Sequence, residues 1–99
     1  MEFEEPSKDS FTIYSKSGCY NCKKTKDLLT EINKPFNIIN CDEYLIEEKD
    51  SFLHFISNRA EQVYKFFPMV FHNGVFIGGF LETKKYLDKF ILDIDFETL

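Results

Sequence analysis

The apolar positions along this chain change period several times, and each change marks an element. Phe11-Thr12-Ile13-Tyr14-Ser15 mixes β-branched and aromatic residues in alternation, the pattern of a strand, and the polar run ending at Gly18 is its turn. From Cys22 onward, Thr25, Leu28, Leu29 and Ile32 recur every three or four residues, one face of a helix that Asn33-Lys34-Pro35 stops. Phe36-Asn37-Ile38-Ile39-Asn40 is a second strand, and a strand, helix, strand unit of this length makes a parallel pair. Within residues 45–67, Phe52, Ile56, Ala60, Val63 and Phe67 keep helical spacing, with Ser57-Asn58-Arg59 a candidate break, so a helix followed by a looser approach is expected. Asn73-Gly74 between two apolar runs is a strong hairpin signal. After Gly78-Gly79, the positions Leu87, Phe90 and Ile91 define the apolar face of a last helix.

The predicted order is strand, helix, strand, helix, strand, strand, helix, so the fold class is α/β, with no internal repeat. Residues 1–10 show no period and read as a loose arm, with Phe3 able to dock on the body. Residues 11–92 form the expected domain, and residues 93–99 a C-terminal tail.

Composition narrows the function. Ninety-nine residues with 43% hydrophobic content and 12 Phe suffice for one compact core. No apolar run approaches the roughly 20 residues of a membrane span, and the acidic start is unlike a secretory signal, so a soluble, cytoplasmic protein is expected. A net charge of -5 argues against a general nucleic-acid binder, which must neutralise phosphates.

Three cysteines cannot all pair within one chain, and two of them, Cys19 and Cys22, have Cys-x-x-Cys spacing. Cys19 falls at the N-terminus of the first helix, where unpaired amides and the positive end of the dipole favour a thiolate, and Lys16 adds a positive charge nearby. Cys22, inside the first turn, suits a resolving thiol that attacks a mixed disulfide at Cys19. The same spacing forms half of a zinc knuckle, but a second pair is missing and no common ligand spacing joins Cys41, His54 and His72. Cys41 reads as a small buried hydrophobe, both histidines as surface or rim residues, and the lysine-rich face of the first helix as solvated.

Three blocks then carry a resemblance: residues 14–22 from Tyr14 to Cys22, Phe67-Pro68-Met69-Val70-Phe71, and residues 74–80 from Gly74 to Phe80. In order and spacing they resemble the signature blocks of glutaredoxins, over roughly residues 10 to 92. The resemblance implies a thioredoxin-like fold, a four-stranded mixed sheet flanked by three or more helices. It implies that Pro68 has a cis bond and faces the redox pair, and that Phe67 pairs strand-like with the cysteinyl backbone of glutathione. Gly78-Gly79 would bring the main chain close to that ligand, and the following helix N-terminus would hold its γ-glutamyl carboxylate. Lys16 and Lys65 match positions near the glycyl carboxylate, although a solvated Lys65 is an equal reading. Glu82 and Thr83 stand where the family holds the γ-glutamyl ammonium or caps the helix. Tyr20 and Phe80 complete the expected glutathione-binding set.

Two departures from the family pattern stand out. Tyr20-Asn21 replaces the common Pro-Tyr between the cysteines, and Phe66-Phe67 replaces a smaller Thr-Val type pair. The implied activity is glutathione-dependent reduction of protein disulfides and glutathione mixed disulfides by a monomer, with ribonucleotide reductase as a family-level client. The alternatives are an iron–sulfur carrier, in which Cys19 and glutathione ligate a [2Fe-2S] cluster between two protomers, and a thioredoxin-like electron donor. Against the latter, there is no Trp beside the cysteines and no acid in strand one.

Overall fold

The computed structural model describes the backbone of residues 1–98 and the side chains of residues 1–89. Its elements are β1 (Phe11–Ser15), α1 (Tyr20–Glu31), β2 (Phe36–Asn40), α2 (Asp42–Glu47), α3 (Lys49–Ala60), β3 (Met69–His72), β4 (Val75–Gly78) and α4 (Phe80–Thr98). The strands form one mixed sheet in the order β2-β1-β3-β4. β1 pairs parallel with β2 and antiparallel with β3, and β3 and β4 form an antiparallel hairpin.

All five residues of β1 are buried, because it is a central strand covered on both faces. Period two then distributes its side chains. Phe11 and Ile13 join Leu29 of α1, Val70 of β3 and Leu87 of α4 on one side of the sheet. Tyr14 joins Met69 and Phe71 of β3 with Phe52, Phe55 and Ile56 of α3 on the other. Two small cores thus clamp β1, and the strand's C-terminal end delivers the cysteine-bearing turn.

Turn chemistry fixes the joints. At the C-terminus of α1, Asn33 takes the left-handed conformation (φ 58°) and the Lys34 N–H donates to Leu29 O at 3.0 Å, after which Pro35 prevents continuation. Asn73 and Gly74 both have positive φ (53° and 82°), as a two-residue type I′ hairpin requires.

The segment 45–67 is a helix followed by a looser approach to β3, as expected, but it is not Ser57-Asn58-Arg59 that interrupts it. Ser57-Asn58-Arg59 lies inside α3, and the break falls earlier, at Glu48, which separates a short α2 from α3. The helix ends after Ala60 because Glu61 adopts the left-handed conformation (φ 57°), its N–H donating to Ser57 O. Val63 is consequently outside the helix and exposed, and Phe67 lies in the loop before β3. α4 runs to Thr98, so the stretch read as a tail is helical to that point. Leu87 is buried as expected, whereas the side chains of Phe90 and Ile91 lie outside the described residues.

The N-terminal segment lies against the body. The Phe3 ring sits 5.0 Å from Tyr44, 5.5 Å from Phe52 and 5.4 Å from Phe55, centroid to centroid. The Tyr14 hydroxyl donates to Glu4 O at 2.6 Å, and the Arg59 guanidinium donates to both oxygens of Glu5, at 2.9 and 2.5 Å. Among the described residues no helix is long and apolar enough to cross a membrane.

Candidate functional site

The turn between β1 and α1 is built to present a sulfur. Gly18 has φ 72°, a left-handed conformation at which a side chain would be strained, and this aims the next residue at the helix axis. Cys19 is the N-cap of α1. Its backbone is extended, its carbonyl accepts from the Lys23 N–H at 3.3 Å, and its Sγ accepts from the Cys22 N–H at 3.2 Å. The sulfur occupies the place that a serine or aspartate oxygen takes in an ordinary cap, facing amides with no partner inside the helix.

The two thiols have different environments. Both are free, but Cys19 is partly exposed whereas Cys22 is 1% exposed. Burial, and after it the hydrogen bond with Cys19, push the Cys22 thiol above its usual range. An accessible sulfur at the helix end and a protonated one behind it are what an attacking and a resolving thiol require.

The turn is held from behind by a carboxylate that sequence reasoning missed. Asp42 accepts from the Ser17 N–H at 2.8 Å and from the Ser17 hydroxyl, while its own N–H donates to Asn40 Oδ1 at 2.9 Å. The Ser17 hydrogen bonds hold the Asp42 carboxyl below the usual range. The Cys41 N–H also donates to Ser15 O at 2.8 Å, tying the start of α2 to the end of β1. No local signal in residues 15–18 points to residue 42, because the contact depends on how β2 pairs with β1.

Cys41 is fully buried, its Sγ donates to Ile39 O at 3.4 Å, and burial pushes its thiol up to about 12, in keeping with its reading as a small hydrophobe. His54 is exposed on α3. His72 is half-buried, stacked on Phe11 at 4.0 Å with Nδ1 2.5 Å from the Tyr86 hydroxyl, and burial lowers its pKa. Among the described residues no group of three or more His, Cys, Asp or Glu side chains could hold a metal ion.

Three depressions surround the cysteine turn, and they divide the expected site residues. Lys16, Cys19, Tyr20 and Cys22 line an open concavity of about 500 Å³ together with Lys23, Lys26, Ile38 and Asn40. Phe67, Gly79, Phe80 and Glu82 line a groove of about 150 Å³ with Asn21, Tyr64, Phe66 and Leu81. Lys16, Lys65 and Phe67 meet again in a third depression of about 220 Å³, where Lys49 joins them beside Leu45 and Leu53. Lys16 and Phe67 bridge these regions, the Lys16 ammonium lying 5.3 Å from the centre of the Phe67 ring. Pro68 is buried behind Phe67, with the peptide bond between them cis, and it lines none of the three depressions.

The glycine pair has a visible steric reason. A Cβ at Gly78, where φ is 134°, would lie 2.7 Å from Glu82 Cβ, and one at Gly79 would lie 2.9 Å from the Tyr64 hydroxyl. Glu82 reaches back so that its Oε1 accepts from the Gly79 N–H at 2.8 Å, the carboxylate half of a capping box. Of the two roles expected for Glu82, the structure therefore displays helix capping. The Thr83 N–H donates to Gly79 O at 3.0 Å, while its fully buried hydroxyl has no hydrogen-bond partner. Tyr64 and Lys49 are additions to the expected set. Both depend on where the α3–β3 loop and the start of α3 come to lie, which periodicity does not report.

Comparison with known proteins agrees with this geometry. The glutaredoxin family model matches residues 11–77. Mitochondrial glutaredoxin-2 of Rattus norvegicus is 27% identical over 84 residues, covering 83% of this chain and 50% of that protein, so the chain spans about half the length of such curated relatives. The structure of glutaredoxin 1 from Francisella tularensis superposes with a TM-score of 0.71 at 28% identity, covering 82% of this chain and 94% of that one. A buckwheat glutaredoxin solved as its glutathione complex shares the fold, with a TM-score of 0.65 at 23% identity, covering 82% and 71% of the respective chains. With Cys19 and Cys22 at the head of α1 in a four-stranded thioredoxin-like sheet, the chain belongs to the glutaredoxin family.

Proposed function

We propose that this protein uses glutathione to reduce protein disulfides and glutathione mixed disulfides, with Cys19 as nucleophile and Cys22 as resolving thiol. The observation that carries the reading is the asymmetry of the pair: a partly exposed sulfur at the N-cap, accepting an amide hydrogen bond, in front of a buried thiol pushed up by desolvation.

The chemistry balances as thiol-disulfide exchange. On a glutathionylated client, the Cys19 thiolate attacks the glutathionyl sulfur, a Cys19–glutathione disulfide forms, and the client sulfur leaves as a thiolate that takes up a proton. A second glutathione thiolate then attacks that mixed disulfide, releasing glutathione disulfide and restoring Cys19. On a protein disulfide, Cys19 forms the mixed disulfide with one client sulfur. Cys22 then loses its proton and attacks Cys19, releasing the reduced client and leaving a Cys19–Cys22 disulfide for two glutathiones to reduce.

In this reading glutathione would lie in the groove beside Phe67. An extended tripeptide can pair its backbone with an exposed strand-like segment before β3. Its two carboxylates have distinct counterparts. Lys16, Lys49 and Lys65 converge on the depression at one end, and the amides at the start of α4 lie at the other. Phe66, whose ring is exposed, and Phe67 both line that groove.

The test compares Cys19→Ser with Cys22→Ser in a glutathione-coupled assay on a small mixed disulfide. Cys19→Ser should be inactive and Cys22→Ser active, while only the wild type should reduce a protein disulfide at full rate. Equal activity of both variants on the small substrate would overturn the assignment. A brown, dimeric protein from anaerobic expression would instead favour the cluster-carrying alternative.

A further inference from the structure

Two of the lysines of α1 line a hollow beside the cysteines. Lys23 and Lys26 turn toward the concavity of about 500 Å³ that opens on the β2 side of the cysteine turn, where Lys16 joins them. Lys24, between them in sequence, does not line the hollow; its ammonium sits between two rings, 4.4 Å from the centre of Phe80 and 5.2 Å from that of Tyr20 on the hollow's rim. No carboxylate lines this hollow. Asp42 lies outside the lining, where the Ser17 hydrogen bonds keep it ionised and its charge balances part of that on Lys16. Among the described residues, none of the three lysines is within salt-bridge distance of an acid.

Lys23 and Lys26, neither within salt-bridge distance of an acid among the described residues, give this hollow a positive wall in a chain of net charge -5. Like charges so placed repel one another, and that repulsion is relieved when an anionic group enters. The rim adds apolar contact: Tyr20 is 73% exposed and Ile38, on the edge strand β2, is 47% exposed.

The hollow also has the right relation to the reacting sulfur. Cys19 and Cys22 both line it, whereas the groove of Phe67, Gly79 and Glu82 is a separate depression. A glutathionylated client has two halves that must sit on different sides of the attacked disulfide. If glutathione takes the Phe67 side, as the proposed function holds, the protein half is left with the β2 side.

We propose that this concavity is the docking surface for client proteins, and that it selects an acidic segment of chain flanking the client's reactive cysteine. Lys23 and Lys26 set the charge preference, and Tyr20 and Ile38 supply the apolar floor. The inference rests on the proposed function for its orientation but can be tested without turnover.

Two readouts keep the ideas separable. The first is binding of redox-inert peptides, in which serine replaces the reactive cysteine, flanked by Asp and Glu in one and by Lys in the other, to reduced protein. The acidic peptide should bind at least about tenfold more tightly at low salt, with the gap closing as salt screens the charges. In Lys23→Glu/Lys26→Glu the order of the two peptides should reverse, with chemical-shift changes centred on Tyr20, Ile38 and Asn40. The second is kcat/KM for the matching cysteine peptides carried as glutathione mixed disulfides, where the acidic-to-basic ratio should follow the same reversal. Equal binding of both peptides by the wild type, or an acidic preference that survives the double charge reversal, overturns the proposal. Failure of turnover with peptide binding intact would instead count against the glutathione reading alone.

Discussion

Removing one ring from the N-terminal segment tests how far the fold's second core depends on residues outside the domain boundaries set by periodicity. Phe3 touches Tyr44, Phe52 and Phe55 at centroid distances of 5.0 to 5.5 Å, and Phe52 in turn stacks at 6.5 Å on Phe67 beside the site. A fully buried Phe truncated to Ala costs about 3–5 kcal/mol, from lost transfer energy and the cavity left behind. Phe3 is half-buried, so roughly half of that, about 2 kcal/mol, is expected for Phe3→Ala, edge-on ring contacts included. For a domain of this size that corresponds to a fall in Tm on the order of 10 °C. The assay is thermal and urea unfolding of the reduced protein, with Phe3→Leu as the volume-retaining control, which should lose less than about 1.5 kcal/mol. At 25 °C the folded Phe3→Ala protein should keep its Cys19 chemistry, because the N-cap geometry does not involve Phe3. A change under about 0.5 kcal/mol, the range of an ordinary surface substitution, would refute the docked arrangement.

Other predictions follow from the same contacts. Cys41, with its thiol pushed from 9.0 up to about 12 by burial, should resist alkylation in the native protein while Cys19 reacts, as peptide mapping after limited labelling would reveal. Its raised value also has a linkage consequence: the neutral thiol favours the fold, so its contribution is complete below about pH 9 and is lost as pH climbs toward about 12. Cys41→Ala should therefore flatten the alkaline decline in urea midpoint. Asp42 has the opposite sign, since the Ser17 hydrogen bonds depress it: its contribution is present above 3.8 and disappears as pH falls below that value, a dependence that Asp42→Asn should remove from the acid limb. Gly78→Ala, forced to a φ of 134° with its Cβ against Glu82, should destabilise by about 1–3 kcal/mol in denaturant titrations.

Much of the fold was legible because its signals are local. The Asn73-Gly74 turn, the Pro35 stop and the alternation in β1 each specify a conformation through a few adjacent residues, and the structure has all three. The failures lie where distance in sequence matters. The α2–α3 break at Glu48 carries no glycine or proline to announce it, and the helical spacing of Val63 and Phe67 is accidental once Glu61 has turned the chain. At the site, the accessible N-cap sulfur of Cys19 and the buried one of Cys22 followed from their places in one helical turn. Asp42, Lys49 and Tyr64 did not, because each approaches from another element, and their positions depend on strand pairing and loop path. Glu82 was legible as a choice between ligand binding and capping. The backbone resolved what is displayed here, since its Oε1 lies 2.8 Å from the Gly79 amide.

The division of labour between two sulfurs is tested most directly by trapping the covalent intermediate. Cys22→Ser protein exposed to glutathione disulfide and quenched in acid should carry a single glutathionyl group on Cys19, identified by intact-mass and fragment spectra. A label on Cys41, or an unmodified Cys19 under conditions that glutathionylate a free cysteine peptide, would contradict the account.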